Sequence, residues 1–358
     1  MNWVAVILIM PYLFLMLWVY RNLLKIKPFN ATTEPGTFVS IIIACRNEQE
    51  NIPVLLNHIS AQNYRRDFFE VIVVNDNSTD NTFETASATK GMPNLRVINN
   101  TGSGKKQAIR TGINSSRGAL IITTDADCTM KPNWIRTIAA FYERYKPDLI
   151  ICPVQIENGL GFFRKFEELE FLSLQGVTAG SAAAQMATMC NGANLAFPRE
   201  SYLNNTDKLH NEIPSGDDIF LLQSLKKSGN SKITWLESAD SIVSTSSVST
   251  VNGFMKQRTR WVSKVQAYND WFVVFVGIAA FIAILTQLFM LAGLIAGRMA
   301  IEVFLAINLL KWVPDFLILQ NTTVRYERKE LLLWMFPSQL VYPFYVIAVA
   351  LSSLFRRR

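Results

Sequence analysis

An α/β fold with a mostly parallel sheet, flanked by transmembrane helices at both ends, is what the amino-acid sequence predicts. Three observations lead there. Half of the 358 residues are hydrophobic, yet the excess gathers at the two ends and leaves a middle of ordinary globular composition. Within that middle, short apolar runs alternate with longer amphipathic segments, the pattern of βαβ units. Polar clusters fall where the apolar runs stop, and parallel sheets hold ligands beyond the carboxyl ends of their strands.

The N-terminal run MNWVAVILIMPYLFLMLWVY has the length of a bilayer-crossing helix, and the basic flank RNLLKIK follows it. A cleaved signal peptide carries its charge before the apolar core and ends in small residues. Here the charge comes after and no small-residue site follows, so residues 1–24 read as an uncleaved anchor. The positive-inside rule then leaves the N-terminus outside and everything after Arg21 in the cytoplasm. Cys45, Cys128, Cys152 and Cys190 lie far apart with no CxxC pair, which argues against a zinc site and a disulfide framework. The net charge of +7 comes without a basic stripe interleaved with aromatics, so no nucleic-acid partner is expected. Those charges suit anionic headgroups and anionic substrates instead.

From residue 37 the expected strands are FVSIIIA (38–44), EVIVVN (70–75), LRVIN (95–99), ALIITTD (119–125) and DLIICPV (148–154), with helices over 48–61 and 79–90. Residues 160–188 read as a helix that becomes small and flexible in TAGSAAAQMAT, and NGANLAFP returns to the sheet. SGDDIFLLQSLKKSG (215–229) is a helix with acids at its start and lysines at its end, as the helix dipole prefers. The globular domain is placed at 37–262 and a C-terminal membrane region of two to three helices at 271–355. Its middle stretch holds Glu302, Lys311 and Asp315 and is expected to face protein or a cavity rather than lipid. Three full crossings would put the terminal RRR outside, against the positive-inside rule, so one stretch is expected to be re-entrant or interfacial.

Six clusters could carry chemistry. In IIIACRNEQENI, Arg46, Asn47 and Glu48 follow a strand; a helix cap is the local alternative. In VIVVNDNSTDNT, Asp76 sits at a strand tip where it could accept from a base or ribose, while Asp80 reads as structural. NTGSGKKQAIRTG lacks the P-loop spacing, which leaves a glycine loop whose Lys105 or Lys106 approaches a diphosphate. TTDADCT sets Asp125 and Asp127 around the small Ala126, a turn or a divalent-metal site. In SGDDIF, Asp217 and Asp218 either cap a helix or raise one another's pKa, as suits a general base. QRTRW (257–261) precedes the membrane region and also reads as an interfacial basic segment.

In this order and spacing the clusters resemble the family-2 glycosyltransferases over about residues 38–262. ACRNE looks like the family's [PA]-x-[YR]-N-E opening, VVNDNSTDNT like V-D-D-x-S-x-D-x-T, and GKKQAIRTG like G-K-x-x-A-[LI]-x-x-G. TDADC resembles the DxD metal motif, SGDDIFLL the [GT]-[ED]-D-x-x-L motif and QRTRW the QxxRW motif of membrane members. Asn75 departs from the commoner first acid of its motif, and Asp217 stands where Glu is more usual.

The resemblance implies a GT-A fold, nucleotide-sugar-binding and Rossmann-like, and a membrane-bound, metal-dependent, hexosyltransferase-type enzyme. Glu48 and Asp76, with Lys105 and Asp125, would hold the nucleotide of a UDP- or GDP-sugar; Asp127 with Asp125 would ligate Mg2+ or Mn2+. Gln257, Arg258 and Arg260 would add donors to the diphosphate, and Trp261 a wall for the acceptor. Asp218, beside Asp217, would be the base of an inverting displacement. Cys128 is left as structural. The expected acceptor is a lipid or lipid-linked glycan at the cytoplasmic face of the inner membrane. A processive polysaccharide synthase of the same family is the alternative. An inactive nucleotide-sugar-binding scaffold is disfavoured because Asp125, Asp127 and Asp218 are all present.

Overall fold

Apolar runs rich in β-branched residues become strands of the sheet. Val39–Cys45 (β1), Phe69–Asn75 (β2), Leu95–Asn99 (β3) and Leu120–Asp125 (β4) lie where the apolar runs predict strands. Cys128–Met130 (β5), Leu149–Ile151 (β6), Val154–Ile156 (β7), Leu195–Pro198 (β8), Ile233–Trp235 (β9) and Val243–Thr245 (β10) follow. The computed structural model describes residues 2–157, 159–210, 213 and 215–355, so the terminal Arg356–Arg358 and their topology lie outside the described residues. The chain divides into two units. One is Lys27–Glu157 with Met189–Ser246; the other is Met1–Ile26, Asn158–Thr188 and Ser247–Arg358.

In the first unit seven strands pair in the order β3-β2-β1-β4-β8-β6-β9. β8 runs antiparallel to β4 and β6, and the other neighbours are parallel. Ile41, Ile42 and Ile43 are all fully buried, as are Val71 to Val74, so both faces of these strands are covered and their sequences read as continuous apolar runs. Register brings the strand ends level: Cys45 lies opposite Asn75, and Ala44 opposite Asp125. The polar residues that follow β1, β2 and β4 therefore emerge at one edge.

The single strand expected over 148–154 is two. Pro153 has no N–H to give a ladder, so β6 ends at Ile151 in the large sheet and β7 starts at Val154 in a small one ordered β5-β10-β7. That small sheet uses short segments without a clear alternating pattern, and sequence periodicity does not reveal β5 or β10.

The second unit is helical: Asn2–Leu23, Phe162–Ala183, Val251–Ser263, Trp271–Ile295, Ile301–Arg325 and Met335–Phe355. The expected flexible stretch after residue 176 is instead regular helix to Ala183. Alanine favours helix, and the glycines allow close packing. A Cβ on Gly180 would come within 2.5 Å of the Val19 carbonyl oxygen, and one on Gly176 within 2.5 Å of Thr322 Oγ1. Three helices among the described residues are long and apolar enough to cross a bilayer: Trp3–Leu23, Trp271–Ile295 and Lys329–Phe355. Ile301–Arg325 is not one of these. Its Lys311 is 1% exposed and donates to Asp315 at 2.7 Å and to Gln339 at 3.2 Å, while Tyr12 donates to Asp315 at 2.5 Å. Lys311 and Asp315 thus face protein, as the sequence predicts, whereas Glu302 in the first turn of the helix is exposed.

Candidate active site

Two loops brace each other beyond β1 and β2. Asn47, in the left-handed region at φ 58, accepts from the Thr79 N–H at 2.8 Å, and the Glu48 N–H donates to Thr82 Oγ1 at 2.7 Å. Asp80 accepts from the backbone N–H groups of Gln49 and Thr82, the structural role its position suggests. Glu48 is half-buried and accepts from the Asn51 amide at 2.7 Å. Burial, aided by the charges of Asp127, Asp125 and Asp80 and opposed by Asn51, raises its carboxyl above the usual range.

Asp76 is buried at the tip of β2. It accepts from Asn100 Nδ2 at 2.7 Å and from the Gly104 N–H at 2.9 and 3.0 Å. Gly104 has φ 93 and ψ 152, a conformation open essentially to glycine alone, and this aims its N–H at the carboxylate. The next residue, Lys105, begins a helix and donates to Asp125 Oδ1 at 2.5 Å. The Lys105 side chain keeps contact with solvent, and although partial desolvation disfavours its charge, Asp125, Asp217 and Asp218 outweigh that and raise its pKa. Lys106 turns elsewhere: it is buried, donates to the carbonyls of Leu209 and His210 at 2.8 and 2.7 Å, and lies over the Phe220 ring.

Asp127 follows β4. Its Oδ2 accepts from Thr245 Oγ1 at 2.8 Å, while Oδ1 meets the weak thiol donor of Cys128 at 3.9 Å. Cys128 itself is buried, and burial beside Asp125 and Asp127 pushes its thiol pKa up, so it stays an inert packing residue. At the start of Asp217–Lys227, Asp218 is half-buried and accepts from the N–H groups of Gly192 at 2.9 Å and Ile219 at 2.8 Å. Asp217 is 8% exposed, and burial followed by the Asp218 charge pushes it up to about 6.

The unit thus gathers Glu48, Asp125, Asp127, Asp217 and Asp218 within electrostatic reach of one another, with Lys105 the cation among them and Asp76 one hydrogen bond from Gly104. Such an acid-rich edge repels a diphosphate until a cation is added. Among the described residues no three His, Cys, Asp or Glu side chains form a metal cage. A hard divalent ion held by one or two carboxylates and completed by substrate phosphates needs no cage, and Asp125 and Asp127 fit that role. Thr245, Gly192 and Asn100 escaped the sequence reading. They are ordinary residues, and only folding sets them against the acids.

Gln257, Arg258, Arg260 and Trp261 belong to the other unit, on the helix Val251–Ser263. Arg260 is exposed, Gln257 and Trp261 are half-buried, and Arg258 is buried at 3%. The Arg258 guanidinium faces Glu170, not solvent.

The fold and its strand-end acids define a GT-A type of protein. Residues 40–203, a little under half of the chain, match the family described as Glycosyl transferase family 2. Glycosyltransferase AglE of Haloferax volcanii is 27% identical over 186 residues, 51% of this chain and 59% of that protein. An undecaprenyl-phosphate 4-deoxy-4-formamido-L-arabinose transferase of Yersinia pestis is 38% identical over 137 residues, 37% of this chain and 41% of that one. The chain thus spans less than two thirds of the length of these relatives. The mannosyltransferase PcManGT of Pyrobaculum calidifontis, solved with GDP-Man and Mn2+, matches over 100% of both chains with a TM-score of 0.64 at 18% identity, a likeness of fold.

Proposed function

We propose that this chain is a multi-pass membrane enzyme that transfers a sugar, by one inverting displacement, from a UDP- or GDP-sugar to a lipid or lipid-linked acceptor at the cytoplasmic face. The observation that carries the reading is the gathering of acids around Lys105 at the edge where β1, β2 and β4 end. The Mn2+ and GDP-Man in the fold neighbour, and the lipid phosphate in the name of the Yersinia relative, support the donor and acceptor classes. The basic flank after residue 20 supports the orientation.

In this reading Asp76 and Glu48 accept from the base and ribose, and Lys105 exchanges Asp125 for the diphosphate. Asp127 with Asp125 would hold Mg2+ or Mn2+, which when bound neutralises charge on the departing diphosphate. The two N–H donors on Asp218 fix its carboxylate to take the proton from the acceptor hydroxyl as that oxygen attacks the anomeric carbon. The bond from that carbon to the diphosphate oxygen breaks in the same step, so an α-linked donor yields a β-linked product. Asp217, its carboxyl pushed up to about 6 by burial and the Asp218 charge, is mostly charged at pH 7 and adds negative charge beside the base. By resemblance, Gln257 and Arg260 add donors to the diphosphate and Trp261 lines the acceptor. QRTRW also occurs in processive synthases, so a polymer product is the second reading.

The test incubates purified protein with UDP- and GDP-sugars and a membrane-lipid extract and reads product mass. One added sugar on a lipid is the expected product, and a ladder would favour the synthase. Asp218→Asn should abolish transfer while nucleotide affinity stays within about twofold. Near-normal turnover in that variant would overturn the base assignment.

A further inference from the structure

Lys105 and Lys106 are neighbours in GKKQA, yet their side chains go to different places. Successive positions on a helix point about 100° apart, so the first turn of Lys105–Ser115 sends its two ammonium groups to different sides. Lys105 stays partly in solvent and pairs with Asp125. Lys106 is 6% exposed. A buried ammonium needs acceptors to replace the water it loses, and it ties down whatever carries them. Lys106 donates to the Leu209 carbonyl at 2.8 Å and to the His210 carbonyl at 2.7 Å, and its Nζ lies 4.8 Å from the centre of the Phe220 ring.

Those acceptors frame the start of the helix Asp217–Lys227. Leu209 and His210 precede it, and the buried Phe220 lies on it, one turn beyond Asp217. His210 has φ 51, a left-handed backbone that a residue with a side chain keeps only where its surroundings enforce it. Two donors converge on its carbonyl, Lys106 and the Ile213 N–H at 2.9 Å. The His210 ring also packs on Phe220, with centroids 4.8 Å apart.

Three successive residues thus reach three acid-bearing elements within one unit of the chain. The Gly104 N–H holds Asp76, Lys105 holds Asp125, and Lys106 holds the segment and the ring that set the helix of Asp217 and Asp218. We propose that Lys106 is a positioning residue for Asp218. Its buried ammonium fixes the entry and the rotation of the helix Asp217–Lys227, so that the Asp218 carboxylate, already held by the Gly192 and Ile219 N–H groups, stays aimed at the acceptor hydroxyl. This rests on the reading of Asp218 as the base. It gives Lys106, unlike Lys105, no contact with the diphosphate.

The test uses the full chain in lipid nanodiscs with Mn2+, a membrane-lipid extract and the UDP- or GDP-sugar from which the wild type forms product. Lys106→Met keeps the length of the stem and removes the charge. Its kcat should fall about a hundredfold, the effect of a catalytic group misplaced by about 1 Å. KM for the sugar nucleotide and affinity for UDP or GDP should stay within about twofold, because Lys105, Asp125 and Asp127 are untouched. Amide hydrogen exchange over residues 217–225 should quicken while that over β1 and β2 keeps the wild-type rate. Lys106→Arg keeps charged donors for the two carbonyls, carries the test if the methionine variant does not fold, and should recover about tenfold of the lost kcat. A kcat within about threefold of wild type in Lys106→Met would overturn the inference. So would a parallel loss of nucleotide affinity, faster exchange throughout the sheet, or an arginine variant no better than the methionine one. If the wild type forms no product, or Asp218→Asn turns over normally, the reading of the site fails and the inference with it. If both behave as expected and Lys106→Met keeps its kcat, the inference alone fails.

Discussion

Two sets of carboxylates in this chain have opposite surroundings. On the helix Phe162–Ala183 each buried glutamate has a partner carried by the protein. Glu167 accepts from the Val248 N–H, Glu168 meets Arg328 and Lys165, and Glu170 meets Arg258. At the strand-end edge, Asp125, Asp127, Asp217, Asp218 and Glu48 crowd one another with Lys105 as the shared cation. A carboxylate whose cation is built in ties segments of the chain together. Carboxylates that crowd one another around a single lysine repel each other, which costs stability and raises the pKa of the buried members.

The comparison is most sharply broken on the paired side. Glu168→Leu removes the buried acid that Lys165 and Arg328 share, and breaking a buried ion pair from one side costs about 3–5 kcal/mol. The unfolding temperature of the detergent-solubilised chain should drop by several degrees. No change would mean that the acid row is not structural.

The crowded side gives the opposite sign. Asp217 has its carboxyl pushed up to about 6 from an ordinary 3.8, so the folded state holds the proton more tightly than the unfolded chain. The stability this adds is fully present below pH 3.8 and is lost as pH rises through about 6. Above that, the charge costs up to about 3 kcal/mol, at 1.36 kcal/mol per unit. Asp217→Asn should raise the unfolding temperature at pH 7 and flatten its fall between pH 4 and 6. Parallel pH profiles for the two proteins would contradict the assignment.

A smaller effect tests the proposed metal site itself. Asp127→Ala should cut the affinity for UDP or GDP in Mn2+ by about ten- to hundredfold, at least what loss of an outer metal partner costs. The gap between Mn2+ and EDTA should close with it. Equal affinities with and without EDTA in the wild type would remove the metal from the site.

Much of this was legible in the chain because it depends on local pattern. β1 to β4 are rich in apolar and β-branched residues, and Glu48, Asp76, Lys105, Asp125, Asp127 and Asp218 each follow a strand or open a helix within a recognisable motif. The small sheet was not legible, since Pro153 splits one apolar run between two sheets and β5 and β10 span three residues each. Nor was the continuation of Phe162–Ala183, where small residues read as flexibility but serve close packing.

The sequence alone determined the fold class, the anchor-like ends and the family resemblance, because periodicity, hydrophobic length and ordered motifs are properties of the chain itself. The tertiary structure decided which charges meet. It set Thr245 on Asp127 and Gly192 on Asp218, and it turned Arg258 toward Glu170, 88 residues away. A side chain's charge is written in the sequence, but its partner depends on where folding brings distant backbone, and burial then sets what that pairing is worth.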